Sequence, residues 1–345
     1  MKKEKNKILT IGGGRGQYSL LSGLRDLKNI SVTSVVSVAD NGGSSGRLRN
    51  ELGILPPGDI LKCIVALSPL RDIAEKILLK RLNGNRRLNG HNAGNMLLTM
   101  LTQYIGSFTE AIKTLSELID STGKVLPTTT DKATLVAELS DGTRIYGETA
   151  IDIPRKSNRE KIANVFLVPH YSNCISPYPP AIEEIKKSDF IFIGPGDLYT
   201  SIIAGLIVPG IKEAIKNSSA KIFYILNIMT KFGETQNFRG YDFIQKIENC
   251  IGRQLDGVIY NVRKPNNQIL KNYFDNKSEF VELDKSDGWI GNCRIFKEDL
   301  LDTSSKTAQH DPHKLASLIK SIIFTDNGKF LRRSYNYNPK IVKKR

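Results

Sequence analysis

Two stretches carry residue types that together could do chemistry on a phosphate. The first is Asp40-Asn41-Gly42-Gly43-Ser44-Ser45-Gly46-Arg47-Leu48-Arg49, continued by Leu55-Pro56-Pro57-Gly58-Asp59. Glycines let consecutive backbone N–H groups close around an anion, and serine hydroxyls add donors. Arginine grips phosphate through paired hydrogen bonds, which makes Arg47 a candidate clamp. Asp40 and Asp59 set two carboxylates beside that anion. They repel it unless a cation lies between, so the pattern asks for Mg²⁺ held by Asp40 and Asp59.

The second stretch is Gly194-Pro195-Gly196-Asp197-Leu198-Tyr199-Thr200-Ser201. Gly194 and Gly196 allow close backbone approach, and Tyr199, Thr200 and Ser201 follow where a new helix should start. A further loop, Gly12-Gly13-Gly14-Arg15-Gly16, sits between an apolar run and a helical pattern, so the helix N-terminus would offer free N–H groups to a phosphate. His91, Asn92 and Asn95 gather at the start of another helix. One cap needs one asparagine, so the surplus implies hydrogen bonding to a ligand. Asn227 ends an apolar run and is suited to read a nucleoside, and Asn261 repeats that arrangement.

Positioning these residues requires buried strands that end together. Residues 7–11, 30–38, 189–193, 221–227 and 255–261 read as such strands, with helical patterns between them. A helix is expected over 72–81 with Ile73, Ile77 and Leu78 inward, and others over 108–119, 177–187, 241–251 and 314–324. Residues 123–148 and 163–168 read instead as an antiparallel insertion with a hairpin at Asp141-Gly142, and 279–283 reads as a late strand. The fold class is therefore α/β: a Rossmann-like three-layer αβα arrangement with a mostly parallel sheet and a small antiparallel insertion. Ligands of such folds gather at the carboxyl ends of the strands. Residues 1–328 form one domain, and 329–345 form a basic tail expected to be flexible. His310-Asp311-Pro312-His313 reads as a helix cap rather than a metal site, and residues 83–87 and 154–159 as basic loops.

Among 345 residues, 50 Lys+Arg against 35 Asp+Glu give a net charge of +15, which suits anionic partners. Solvated lysines explain much of that excess, so nucleic acid is the weaker reading and a small nucleotide the stronger. No apolar run is long enough to span a bilayer and no signal core precedes the first strand, so membrane insertion is not expected and the location reads as cytoplasmic. Cys63, Cys174, Cys250 and Cys293 are too scattered for a metal site and read as reduced thiols. Nothing fixes the oligomeric state; a homo-oligomer is compatible with the sequence.

Taken in order, the motifs 12–16, 38–49, 55–60, 91–95, 147–148, 194–201, 208–210, 227–230 and 310–311 resemble those of the YvcK-type gluconeogenesis factors, within the CofD-like family. The resemblance covers nearly the whole chain. It implies a Rossmann-like core and a nucleotide site. In the wider family a phospholactyl group moves from a guanosine-diphosphate-linked donor to a deazaflavin alcohol with Mg²⁺, whose acidic ligands match Asp40 and Asp59. The YvcK-type branch, which the long Gly-Gly-Ser-Ser-Gly-Arg-Leu-Arg stretch favours, implies instead a regulator of cell shape, cell-wall synthesis and growth on gluconeogenic carbon. Such a regulator binds UDP-N-acetylglucosamine or UDP-glucose and has cell-wall synthesis proteins as partners. The alternative implied is a CofD-type transferase. Asp197, Ala204-Gly205, Lys231-Phe232 and Gln309 depart from the family pattern.

Overall fold

A computed structural model describes residues 5–83, 88–154, 159–283, 289–290 and 292–325. Most of the two expected basic loops, the surroundings of Trp289 and the tail from 329 lie outside the described residues.

Strands β1 (Asn6–Gly12), β2 (Ile30–Val36), β3 (Lys124–Pro127), β7 (Phe190–Ile193), β8 (Lys221–Ile225), β9 (Gly257–Asn261), β10 (Trp289–Ile290) and β11 (Cys293–Glu298) build one sheet, and β4 (Ala133–Leu139), β5 (Arg144–Tyr146) and β6 (Ile162–Pro169) a second. The large sheet runs β10-β11-β9-β8-β7-β1-β2-β3 and is parallel except for β10. The small one, β5-β4-β6, is antiparallel. Both sheets and the helices around them realise the α/β architecture expected from the strand and helix patterns.

Strand alternation explains why the large sheet is covered twice. In β1, Leu9 and Ile11 enter one apolar cluster while Ile8 enters the other. In β7, Ile191 and Ile193 share the first cluster, and Phe190 and Phe192 the second. Phe192 stacks on Phe223 of β8 with ring centroids 5.2 Å apart. Each fully buried side chain of this size stabilises the fold by about 1.5–3 kcal/mol relative to exposure.

Four expected elements differ. β2 ends at Val36, so the loop toward Asp40 starts two residues sooner. Residues 124–127 join the large sheet as its parallel edge instead of the insertion. The expected helix over 72–81 is a short turn, Arg71–Ala74, running into a π-helical turn, Glu75–Leu79. There Ala74 and Leu78 are buried while Ile73 and Ile77 are each 60 % exposed. The buried stripe uses the 74/78 phase, and the wider π turn keeps 73 and 77 outward. Around 279–283 only an isolated bridge forms, between Met229 and Phe280.

The β1 and β7 loops touch. A Cβ placed on Gly16 would lie 2.4 Å from the carbonyl oxygen of Pro195. That contact is backbone and cannot swing aside. Gly16→Ala should therefore destabilise the protein by about 1–3 kcal/mol, read as a lowered urea midpoint; an unchanged midpoint would contradict the close approach.

Candidate functional site

A crevice opens where the strand order reverses. From β1 the chain passes to β2 on one side, and from β7 it passes to β8 on the other. The loops leaving β1, β2 and β7 therefore meet at one point. They border a cavity of about 720 Å³, and Arg15, Ser201 and Gln309 also line a second, neighbouring lobe of about 400 Å³.

One wall carries two helix starts without side-chain caps. The helices Gly14–Leu24 and Gly43–Leu52 begin after Gly13 and Gly42, and neither start is capped by a side chain. Their first N–H groups are therefore free of side-chain partners, and Gly14 and Gly43 line the crevice. Gly14 adopts φ +67°, which turns β1 directly into its helix. Arg15 is exposed, borders both lobes and makes no ion pair with a described residue. Gly12 lies beneath, where a Cβ would sit 2.9 Å from Gln17 Oε1.

The other wall is acidic. Asp40, Asp59 and Glu148 all line the same cavity. Asp40 Oδ1 accepts from the Gly42 N–H at 2.8 Å, and the Asp59 carboxylate is paired with Lys62 at 2.8 Å. Burial, then the charge of Asp59, holds the Asp40 carboxyl above the usual range. Burial, then Asp40, Asp152 and Asp59, raises Glu148 to about 8. Glycines leave room in front of these oxygens. A Cβ on Gly13 would stand 2.6 Å from Asp59 Oδ2, and one on Gly58 3.4 Å from Asp40 Oδ2. An all-oxygen set with excess negative charge in a cradle that a Cβ would fill fits a hard divalent cation such as Mg²⁺.

Several sequence-derived candidates are spent on holding the walls together. Ser44 Oγ is hydrogen-bonded to His91 Nδ1 at 2.8 Å and accepts from Asn95 Nδ2 at 3.1 Å. Asn92 Oδ1 accepts from the Asn95 N–H at 2.7 Å and caps the helix Ala93–Ile105. Asn92, Asn95 and Ser44 still border the crevice, but His91 lies behind them, its basicity lowered first by burial. Ser45 Oγ accepts from the Gly58 N–H at 3.1 Å, joining the Asp40 loop to the Asp59 helix. Asn41 Oδ1 accepts from the N–H and hydroxyl of Thr149 at 2.8 and 3.1 Å. Arg47 donates to the Asn89 carbonyl and does not line the crevice.

The second loop divides. Gly196 and Ser201 face the crevice, and Gly194 turns the chain at φ +79°. Leu198–Ile203 is a π-helical turn. Thr200 lines the crevice while its hydroxyl donates to Glu234 Oε1 at 3.2 Å. Tyr199 lies outside the crevice, against a separate cavity on the opposite side. Asn227 borders the second lobe, but its amide donates to the Gly196 carbonyl at 2.7 Å and its oxygen accepts from Tyr224 at 2.9 Å. Asn261 is buried, bonded to Arg263 and Leu300, and lines neither lobe. Asp311 Oδ1 caps the last helix through His313 and Lys314, and His310 is a buried, neutral side chain held down to about 4 by burial.

Lys62, Arg81, Glu148 and Thr149 also line the crevice and were not among the sequence candidates. Lys62 was legible as the i,i+3 partner of Asp59; Glu148 falls in the motif 147–148, but its place in the crevice was not legible, because only the insertion brings it there. Nearby, Lys231 Nζ is bonded to Asp152, lies 2.7 Å from Asp197 Oδ2 and 3.4 Å from Glu234 Oε1. The three carboxylates lie close enough to hold a metal, but this ammonium already occupies their midst. Burial opposes the Lys231 charge, and Glu234, Asp197 and Asp152 together keep it on. Two departures from the family pattern, Asp197 and Lys231, are thus partners.

Fold and crevice define an open α/β protein with a polar, charged crevice at the sheet's reversal point. The family model described as 2-phospho-L-lactate transferase CofD matches residues 8–301, and the chain belongs to that family. It is 36 % identical over 93 % of its length to the Bacillus subtilis gluconeogenesis factor, covering 99 % of that protein. It is 39 % identical to the Halalkalibacterium halodurans gluconeogenesis factor over 82 % of this chain and 85 % of that one. A crystal structure of a Bacillus halodurans protein superposes with a TM-score of 0.85 at 36 % identity, covering 92 % of this chain and all of that one.

Two measurements test the electrostatics. The folded protein holds the Glu148 proton to about pH 8, whereas the unfolded chain releases it near 4.5. The folded state therefore binds more protons between those values, and stability falls as pH rises through that window. Glu148→Gln removes this contribution, so its thermal midpoint should fall less from pH 5 to pH 9 than that of the unaltered protein. Lys231→Met should cost about 3 kcal/mol near pH 8, because Glu234 is left buried without its countercharge. The cost should shrink at pH 5, where Glu234 can take up a proton; equal costs at both pH values would contradict the pairing.

Proposed function

We propose that the protein binds a UDP-sugar, UDP-N-acetylglucosamine or UDP-glucose, and acts as a regulator of gluconeogenic growth and cell-wall morphogenesis. The observation that carries the reading is the pairing of two side-chain-free helix starts and Arg15 with two adjoining lobes of about 720 and 400 Å³. The diphosphate lies against Gly12–Gly16 and the 42–45 turn, where N–H groups and Arg15 receive it. The second lobe, bordered by Gly196, Ser201 and Asn227, takes the nucleoside or sugar. Kinship with gluconeogenesis factors supports the regulatory role, and cell-wall synthesis proteins are the class of partner that would be controlled.

A second reading is a CofD-type transfer of a phosphorus-containing group. Its support is the carboxylate pair Asp40 and Asp59 with Glu148 beside it. These residues would hold Mg²⁺, which supplies charge neutralisation for a diphosphate. Arg15 and the helix starts would orient the donor.

Calorimetric titration with UDP-N-acetylglucosamine, UDP-glucose and GDP, each with and without Mg²⁺, separates the two. The regulator reading expects UDP-sugar binding that survives chelation and leaves the ligand intact. It also expects Arg15→Ala to weaken binding about 10- to 150-fold, the worth of a charge-assisted hydrogen bond of about 1.5–3 kcal/mol. Binding of GDP that needs Mg²⁺ and disappears in Asp40→Asn would favour the transferase. No binding of any of the three would overturn both.

A further inference from the structure

The two lobes of the crevice share part of their lining. Gly14, Arg15, Ser19, Asp197, Ser201 and Gln309 border both, so they stand where the lobes adjoin. Ser201 Oγ lies 3.8 Å from where a Cβ on Gly14 would be, which sets a hydroxyl against the first helix start. The Ser201 N–H donates to the Asp197 carbonyl at 3.0 Å, so Asp197 sits one turn from that hydroxyl. Tyr273, in the second lobe, feels the charges of Asp197, Arg15 and Lys231 together.

Asp197 immediately precedes the π-helical turn Leu198–Ile203, a position where aspartate ordinarily caps free N–H groups. Here its side chain caps nothing. Glu234, from the segment after β8, does so instead, accepting from the Tyr199 N–H at 3.1 Å and the Thr200 hydroxyl at 3.2 Å. The Asp197 carboxylate is thereby left to the crevice. Its side chain is 42 % exposed, its Oδ2 accepts from Lys231 Nζ at 2.7 Å, and its Oδ1 accepts from no described residue. An acceptor oxygen with negative charge, placed beside Arg15 and a helix start, repels a bare phosphate. It favours a ligand that brings a hydroxyl to the same place, because a carboxylate accepts a stronger hydrogen bond than a neutral oxygen.

Resting on the UDP-sugar reading, we infer that Asp197 is a specificity-determining residue that accepts a hydrogen bond from a sugar-ring hydroxyl next to the diphosphate. In a nucleotide sugar both neighbours of the diphosphate are sugar rings, the ribose on one side and the hexose on the other. Whichever ring enters the second lobe presents hydroxyls to Asp197 while the diphosphate lies against Gly14, Arg15 and Ser201.

Calorimetry on the full chain compares UDP-glucose with UDP-2-deoxyglucose and with the 2′,3′-dideoxyribose analogue of UDP-glucose. All three carry the same charge, so their ratios are free of general electrostatics. The unaltered protein should prefer UDP-glucose to one of the two analogues about tenfold or more, and Asp197→Ala should abolish that preference. Discrimination against the dideoxyribose analogue puts the ribose at Asp197; discrimination against UDP-2-deoxyglucose puts the hexose there. The disfavoured analogue should bind Asp197→Ala at least as tightly as it binds the unaltered protein, since the variant removes a repelling charge. Asp197→Asn, of the same shape, should keep a smaller preference, because its oxygen is neutral. Equal binding of all three by the unaltered protein, an undiminished preference in Asp197→Ala, or equal weakening of all three would overturn the inference and leave the crevice reading standing. No binding of UDP-glucose would overturn that reading and this inference with it.

Discussion

The loops that follow β1 and β7 approach so closely that no side chain fits between them at Gly16, and the crevice depends on that approach. Adjacent parallel strands lie side by side, and their connections here leave in opposite directions along the sheet. That divergence leaves a gap above their ends. The gap is narrow enough for one ligand to touch both loops only because Gly13, Gly16 and Gly196 present bare backbone. The glycines of these loops stand where two main chains meet or where a carboxylate needs space.

Charge is the second constraint. The molecule as a whole is strongly basic, yet the crevice gathers Asp40, Asp59, Glu148, Asp152 and Asp197 against Arg15, Lys62 and Arg81. Global charge therefore says little about this site. It raises the concentration of anions near the surface, whereas the crevice holds a few buried groups, and their burial first and mutual repulsion second raise Glu148 and Asp40.

The insertion is part of the site rather than an ornament on it. Asn41 grips Thr149, which fixes the short helix Glu148–Asp152 over the end of β2. From the other end of that helix Asp152 reaches Lys231, which also holds Asp197 and Glu234. Glu234 in turn accepts from the Tyr199 N–H and the Thr200 hydroxyl. One ammonium thereby couples the small sheet, the loop after β7 and the segment after β8, and any change in its charge would be felt at each.

The strands flanking the glycine loops were legible because alternation of apolar side chains and the turn chemistry of glycine are local properties. So were the Asp141-Gly142 hairpin, where Thr143 N–H bonds Asp141 Oδ1 at 2.9 Å, and the Asp311 cap. Asp40, Asp59, Arg15 and Ser201 line one crevice, since each sits just past a strand or near a helix start and a parallel sheet brings such positions to one edge. What the sequence by itself determined was therefore the layer order and the edge at which a site must lie. Only the tertiary structure decided which groups face it. Glu148 arrives from an insertion whose docking rests on a contact 108 residues apart. Tyr199 leaves because a π-helical turn changes the angle between successive side chains, and local patterning carries no mark of that extra residue per turn. Arg47, Asn227 and His91 have the chemistry of ligand-binding groups, but neighbours from distant segments consume their hydrogen bonds, and the partner of a polar side chain is a property of the folded chain.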